Sequence, residues 1–221
     1  MWNNLEKPWQ EAISLAWEAY KKRTIPIGCV IVNKEGEIVS KGQNQIFDLS
    51  SGNPLAGTNM AHAEMNALLG LNEIDHPEIR SYILYTTMEP CPMCFGTAIM
   101  MNIRNISYGA RDGFAGATSL NDKLDYIKGK NINIEYEGGE IEVFQLILQS
   151  VYEYERQHLR IENILSTWKD VNNLAINWGK KLYNIGYFPQ AVNENKSIEK
   201  VYNEVAAFTF SPAPKNTNNN L

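Results

Sequence analysis

Two cysteines, Cys91 and Cys94, are the residues of this 221-residue chain whose type and spacing most clearly suggest chemistry. They lie in "EPCPMC", with Pro90 before them and Pro92 in the first turn of a predicted helix, where proline is tolerated. The spacing i, i+3 places both sulfurs on one helix face, and the positive helix end favours thiolates. Such a pair forms half of a tetrahedral zinc site, although a thioredoxin-type redox pair uses the same spacing.

The histidines narrow the search for further ligands. The chain has three, His62, His76 and His158. His62 begins the predicted helix "AHAEMNALL" and can converge with the start of the cysteine helix. His76 lies in a predicted loop and His158 at the charged end of a predicted helix, so we expect both at the surface.

His62, Cys91 and Cys94 would give zinc three protein ligands, the number found in catalytic sites that keep one position for water. Cys29 would close the site as a fourth ligand, but its strand position favours a small buried hydrophobic residue. Glu64, two residues after His62, is suited to moving protons without binding the metal. The alternative for Glu64 is a first-turn acid that balances the helix dipole.

Strands and helices alternate along the rest of the chain. The sequence predicts a helix over 8–23, a hairpin around Gly36, a loop over 43–60 and a helix from about 91 to 101. Further strand and helix patterns are "SYILYTT", "IRNISYG", "INIEYE" and "EIEVFQLILQSVYEYERQHL". This alternation predicts an α/β sheet covered by helices.

Composition restricts the function classes. A net charge of −5 argues against broad, charge-driven binding of nucleic acid. Three cysteines cannot form a disulfide framework, and we find no signal-peptide or membrane-spanning pattern. We therefore expect a cytoplasmic protein with no membrane partner.

The combined pattern His62-Ala63-Glu64 and Pro90-Cys91-Pro92-Met93-Cys94 resembles H-x-E…P-C-x-x-C, the zinc signature of the cytidine deaminase superfamily. The blocks "IPIGCVIV", "GQNQ", "YTTMEPCPMCFGTAI" and "YGARDGFAGATSL" are similar to those of bacterial tRNA-specific adenosine deaminases. The resemblance implies a three-layer α/β/α fold with a mixed sheet of about five strands, a Zn²⁺ cofactor and a homodimer. It also implies hydrolytic deamination, with Glu64 carrying protons to the ring nitrogen and the leaving amine.

The resemblance also implies substrate contacts. Asn44 is expected to hydrogen-bond the base, Ile27 and Ala63 to line its pocket, and Asp112 to contact a neighbouring nucleotide. Structural alternatives are a turn role for Asn44, a core role for Ile27 and a surface ion pair between Arg111 and Asp112.

Three departures from the adenosine deaminases affect the substrate prediction: a longer segment before the zinc histidine, a region of mixed charge where they end in a basic helix, and an added C-terminal part. We predict a zinc-dependent deaminase domain over 1–165, a packed extension over 166–210 and a disordered tail over 211–221. The first predicted substrate is adenine in tRNA or a related adenosine. The alternatives are a free purine such as guanine and, last, a zinc-stabilised interaction domain without catalysis.

Overall fold

A five-stranded sheet in the order β2-β1-β3-β4-β5 forms the centre of the protein, in a computed structural model that describes residues 1–210. The strands are β1 (Gly28–Val32), β2 (Ile38–Gln43), β3 (Ile83–Met88), β4 (Asn105–Ala110) and β5 (Asn133–Tyr136). Strand β1 is antiparallel to β2 and β3, whereas β3, β4 and β5 are parallel. The predicted mixed sheet is confirmed, while the tail 211–221 lies outside the described residues.

Helices cover both faces of the sheet. They are α1 (Lys7–Lys21), α2 (Ala63–Leu69), α3 (Pro92–Met100), α4 (Asp125–Lys128), α5 (Gly139–Arg156), α6 (Ile161–Asn184), α7 (Tyr187–Asn193) and α8 (Ile198–Phe210). Strand side chains alternate between faces: Val30 and Val32 pack with Ala12 of α1, whereas Cys29 and Ile31 pack with α2 and α3. The cytidine-deaminase-like α/β/α architecture is confirmed.

Two glycines allow the helices to approach the sheet closely. A Cβ atom on Gly42 of β2 would lie 2.1 Å from the carbonyl oxygen of Ala63 in α2, and one on Gly28 would lie 2.0 Å from that of Ala12 in α1. Because α2 begins at Ala63, the absent side chain at Gly42 helps to set the position of the preceding residue, His62.

The C-terminal helices pack on the same core as α1 and α5. Phe188 of α7 contacts Trp17, and Tyr202 of α8 contacts Phe144 of α5. Helix α6 crosses the predicted boundary at 165/166 and is interrupted at Asn172, whose φ is −151° and ψ 89°. The division into domains stays a prediction. None of the described helices is long and apolar enough to cross a membrane.

Candidate metal centre and catalytic site

The starts of two helices bring three ligand atoms together. His62 precedes the first residue of α2, Cys91 precedes the first residue of α3, and Cys94 lies in the first turn of α3. The two Sγ atoms are 3.6 Å apart, and His62 Nδ1 lies 3.6 Å from Cys91 Sγ and 3.5 Å from Cys94 Sγ. The two sulfurs and the imidazole therefore face one point.

These separations fit a zinc ion. Tetrahedral zinc, with bonds of about 2.3 Å to sulfur and about 2.0–2.1 Å to nitrogen, separates two sulfurs by roughly 3.8 Å and sulfur from nitrogen by roughly 3.5 Å. Among the described residues, this is the one group of three or more His, Cys, Asp or Glu side chains close enough to share an ion. Cys29 is not part of the group, so the structure gives no fourth protein ligand from it.

The other two histidines lie elsewhere in the fold. His76 is half-buried, and its Nδ1 lies 3.2 Å from the Tyr82 hydroxyl. His158 is also half-buried, and its Nδ1 accepts a hydrogen bond from the backbone N–H of Arg160. Each has a local structural partner.

The three ligand side chains lie within hydrogen-bond distance of one another, which affects their pKa values. The hydrogen bond between Cys91 and Cys94, helped by one with His62, lowers the pKa of Cys91 to about 4. The same hydrogen bond, together with burial, raises the pKa of Cys94. Burial opposes a charged His62, but its hydrogen bond to Cys91 and the nearby charges of Glu64 and Cys91 together outweigh that effect and raise the pKa of His62. The lowered pKa of Cys91 favours its thiolate, which is the form that binds zinc.

Glu64 lies beside the ligand group without belonging to it. Its side chain is on the first turn of α2, and the residue is only 4% exposed. The hydroxyl of Thr86 in β3 donates a 3.1 Å hydrogen bond to Glu64 Oε1. Burial raises the pKa of Glu64, and this favours a carboxyl group that exchanges a proton closer to neutral pH.

Asn44 follows β2 at the same edge of the sheet and is 1% exposed. Its Oδ1 accepts hydrogen bonds from Thr24 Oγ1 at 2.7 Å and from the N–H of Ile46 at 3.1 Å. Because Oδ1 has these two donors, Nδ2 is oriented away from them, and it has no partner among residues 1–210. The backbone N–H of Asn44 donates to the carbonyl of half-buried Ile27, while Ala63, the first residue of α2, is fully buried.

Residues 111–118 after β4, here named the β4 loop, are attached to the cysteine helix through Glu89, whose role the sequence did not reveal. Glu89 Oε2 accepts from the N–H of Asp112 at 3.1 Å, and Oε1 accepts from the N–H and hydroxyl of Thr118. The N–H of Ala117 donates to the carbonyl of Pro90, the residue before Cys91, at 3.0 Å. The adjacency of Glu89 to "PCPMC" was its one available sequence signal.

The alternative considered for Arg111 and Asp112, a surface ion pair between them, is not what the structure shows. Arg111 instead donates to both carboxylate oxygens of buried Glu142, with Nε and Nη2 each 3.1 Å from an oxygen. Asp112 Oδ1 accepts from Trp168 Nε1 of α6 at 2.9 Å and from the N–H groups of Phe114 and Ala115. A long-range tryptophan contact therefore engages one oxygen of the carboxylate predicted to face a neighbouring nucleotide.

Comparisons with known proteins agree with this geometry. A family model described as the cytidine and deoxycytidylate deaminase zinc-binding region matches residues 3–110. A tRNA-specific adenosine deaminase of Rickettsia bellii is 31% identical over 126 residues, which cover 55% of this chain and 79% of that protein. The chain therefore belongs to the same deaminase family as this relative.

Other family relatives match over about half of this chain. A tRNA-specific adenosine deaminase of Streptococcus pyogenes is 38% identical, with 50% of this chain and 66% of the relative covered. A tRNA(Ile)-lysidine synthase of Deinococcus radiodurans is 37% identical, but the chain spans only 17% of its length. The structure of NE0047 in complex with 2,6-diaminopurine is similar to this one, with a TM-score of 0.53 at 20% identity. The match covers 68% of this chain and 83% of that one, and it supports the assignment of the α/β fold.

Proposed function

We propose that this family member is a zinc-dependent hydrolytic deaminase that replaces the exocyclic amino group of a nucleobase with oxygen. The observation that carries the proposal is the buried Glu64 carboxyl beside a group of three ligands to which it does not belong. A structural zinc site is closed by four protein ligands, whereas this one offers three within residues 1–210.

The proposed chemistry divides between the metal and the protein. When bound by His62, Cys91 and Cys94, zinc supplies a Lewis acid that lowers the pKa of water. Glu64 would take one proton from a water molecule and pass it to the ring nitrogen as the water oxygen bonds to the carbon that carries the amino group. It would then take the second proton from the resulting hydroxyl and pass it to the amine, so that the C–N bond breaks, the carbonyl forms and ammonia leaves. Thr86 holds one oxygen of Glu64 through its hydroxyl and so restricts the orientation of the carboxyl group.

Asn44 has the geometry of a base-recognition residue. Its side-chain oxygen is held by Thr24 and Ile46, so the Nδ2 group is available to donate to an acceptor atom of the base. Ile27 supplies a neighbouring apolar side chain, and its carbonyl fixes the backbone of Asn44. We propose these residues, together with Ala63, as the base pocket.

Adenine in tRNA, or a related adenosine, is the first candidate substrate because the chain is similar to tRNA-specific adenosine deaminases at 31–38% identity. A free purine such as guanine is the second candidate. It is favoured by the engagement of the Asp112 carboxylate by Trp168, which leaves that group less available to a flanking nucleotide. A cytoplasmic location and a homodimer belong to the same proposal.

The direct test is an ammonia-release screen of zinc-loaded protein with free purines, nucleosides, nucleotides and a tRNA anticodon stem-loop. We expect release from at least one adenine- or guanine-containing substrate. Binding of the stem-loop would weaken steeply as salt rises because phosphate contacts release counterions. A salt-independent response would point to the small purine, and no release from any substrate would favour a non-catalytic zinc domain.

A further inference from the structure

Helix α6 lies outside the region matched by the deaminase family model, which ends at residue 110. Nevertheless, α6 contacts the β4 loop, which is hydrogen-bonded to Glu89 and Pro90 next to the ligand Cys91. A Cβ atom on Gly113 of the β4 loop would lie 2.6 Å from the carbonyl oxygen of Thr167, so the loop and the helix are in close backbone contact. The added part of the chain therefore abuts the candidate site.

The principal polar contact between them joins Trp168 and Asp112. Trp168 is 3% exposed, and its Nε1 donates to Asp112 Oδ1 at 2.9 Å. The same oxygen accepts from the N–H groups of Phe114 and Ala115 at 2.9 and 3.1 Å, which folds the β4 loop around the carboxylate. Burial raises the pKa of Asp112 while these donors oppose that rise, so the indole N–H supports the charged acceptor around which the loop turns.

A second set of contacts fixes the direction of α6. Asn172 Nδ2 donates to Glu142 Oε1 at 3.2 Å, and its Oδ1 accepts from the N–H of Ala175 at 3.1 Å. Glu142 also binds Arg111, whose Nη2 reaches the carbonyl of Val171. The interruption of α6 at Asn172 thus lies beside Glu142 of α5, which binds it. These contacts hold the segment 161–171 against the β4 loop.

The β4 loop is hydrogen-bonded to the two residues that precede the metal ligand Cys91. The backbone of Asp112 donates to Glu89, and Ala117 donates to the carbonyl of Pro90, next to Cys91. Trp168 is therefore connected to Glu89 and Pro90 by hydrogen bonds of 3.1 Å or less, which the backbone of the β4 loop joins to one another.

We propose that Trp168 is a positioning residue that holds the β4 loop against Glu89 and Pro90, just before the cysteine helix, and thereby sets the affinity of the site for its substrate. The effect of Trp168 on substrate affinity rests on the proposed deaminase function. The proposal assigns to the C-terminal helices a part in forming the binding site, in addition to their packing on α1 and α5.

The test compares Trp168→Phe with Trp178→Phe. Both substitutions lie on α6 and remove an indole N–H while keeping a ring, but Trp178 stacks on Phe208, away from the β4 loop. Loss of a hydrogen bond to a charged group leads us to expect KM to rise about tenfold in W168F, with kcat within about twofold, measured as ammonia release from adenosine and from guanine. W178F should leave both constants unchanged.

Hydrogen exchange supplies a readout that does not need turnover. We expect W168F, and not W178F, to speed exchange in residues 111–118, where the amides of Phe114 and Ala115 depend on Asp112. Adding W168F to Asp112→Ala should cause no further acceleration, because Trp168 acts through that carboxylate. Equal exchange in W168F and wild type, additive effects in the double variant, or unchanged KM in an active enzyme would each overturn the proposal.

The two proposals fail in different ways. If W168F accelerates exchange of the β4 loop but wild-type protein releases no ammonia from any purine tested, the deaminase function is wrong, while the contact between Trp168 and the loop stands. If wild type releases ammonia and W168F matches W178F in both exchange and KM, the deaminase function stands and the positioning role is wrong.

Discussion

Substitution of Gly42 by Ala tests how tightly the sheet sets the position of the metal ligands. The new Cβ atom would lie 2.1 Å from the Ala63 carbonyl oxygen and 2.4 Å from the Ala67 nitrogen, both in the backbone of α2. Ordinary contact begins at 3.4 Å, so α2 must retreat by roughly 1.3 Å, the difference between that distance and the shorter contact. His62 immediately precedes α2 and would move with it.

The expected cost follows from overpacking, which destabilises proteins by about 1–3 kcal/mol. In a chain of this size, each kcal/mol lowers Tm by about 2–4 °C, so we expect a decrease of roughly 2–12 °C in G42A. Since a displacement of about 1 Å is also large for a metal or catalytic group, zinc affinity should fall at least about tenfold, measured by competition with a chromophoric chelator.

Gly96→Ala is the matched control. Gly96 lies on α3, the other ligand-bearing helix, and a Cβ atom there would meet no heavy atom within 4 Å. Alanine is the better helix former by about 1 kcal/mol, so G96A should melt at or slightly above the wild-type temperature and keep its zinc affinity. If G42A matches G96A in both measurements, the reasoning that close sheet packing positions His62 is refuted.

Two further substitutions test the ligands and the Glu142 anchor. Cys94→Ser replaces a thiolate with a poorer zinc ligand, so we expect less than one zinc per chain by elemental analysis after dialysis against a chelator; full retention of zinc would exclude Cys94 as a ligand. Glu142→Gln should destabilise the fold at pH 7 by about 1–3 kcal/mol. Burial raises the pKa of Glu142, but the hydrogen bonds from Arg111, Tyr136 and Asn172 together outweigh burial, favour the charged carboxylate and lower that pKa. That stability is present above the unfolded pKa of about 4.5 and is lost as the pH falls through the pKa of folded Glu142. The difference in denaturation midpoint between wild type and E142Q should therefore shrink below about pH 4.5. A difference that stays constant with pH would contradict this.

The sequence allowed the metal centre to be predicted because each half of it is local. Pro90, Cys91 and Cys94 share one helix start, and His62 and Glu64 share another, so short-range spacing already places their side chains. The order of strands and helices also follows from local periodicity. The position of His62 at a helix start indicated that it can converge with the cysteine helix, the resemblance supported this, and the structure supplies the distances.

The outer part of the site depends on contacts that local patterns do not encode. Trp168 is 56 positions from Asp112, and nothing in "STWKDV" distinguishes a buried donor from an ordinary core tryptophan. Arg111 and Asp112 are adjacent and opposite in charge, but the buried Glu142, 31 positions away, is the partner of Arg111. Such pairings are set by how α5 and α6 cross the sheet edge, and a single sequence does not specify that crossing.

Ammonia release by Glu64→Gln, compared with wild type at equal zinc content, tests the central claim most directly. Glutamine keeps the size of the side chain and an oxygen for the Thr86 hydroxyl, but it does not exchange a proton. We predict that E64Q binds one zinc per chain and loses about 10²- to 10⁴-fold in kcat on the substrate identified in the screen. An E64Q protein that releases ammonia at the wild-type rate would contradict the assignment of Glu64 as the proton carrier.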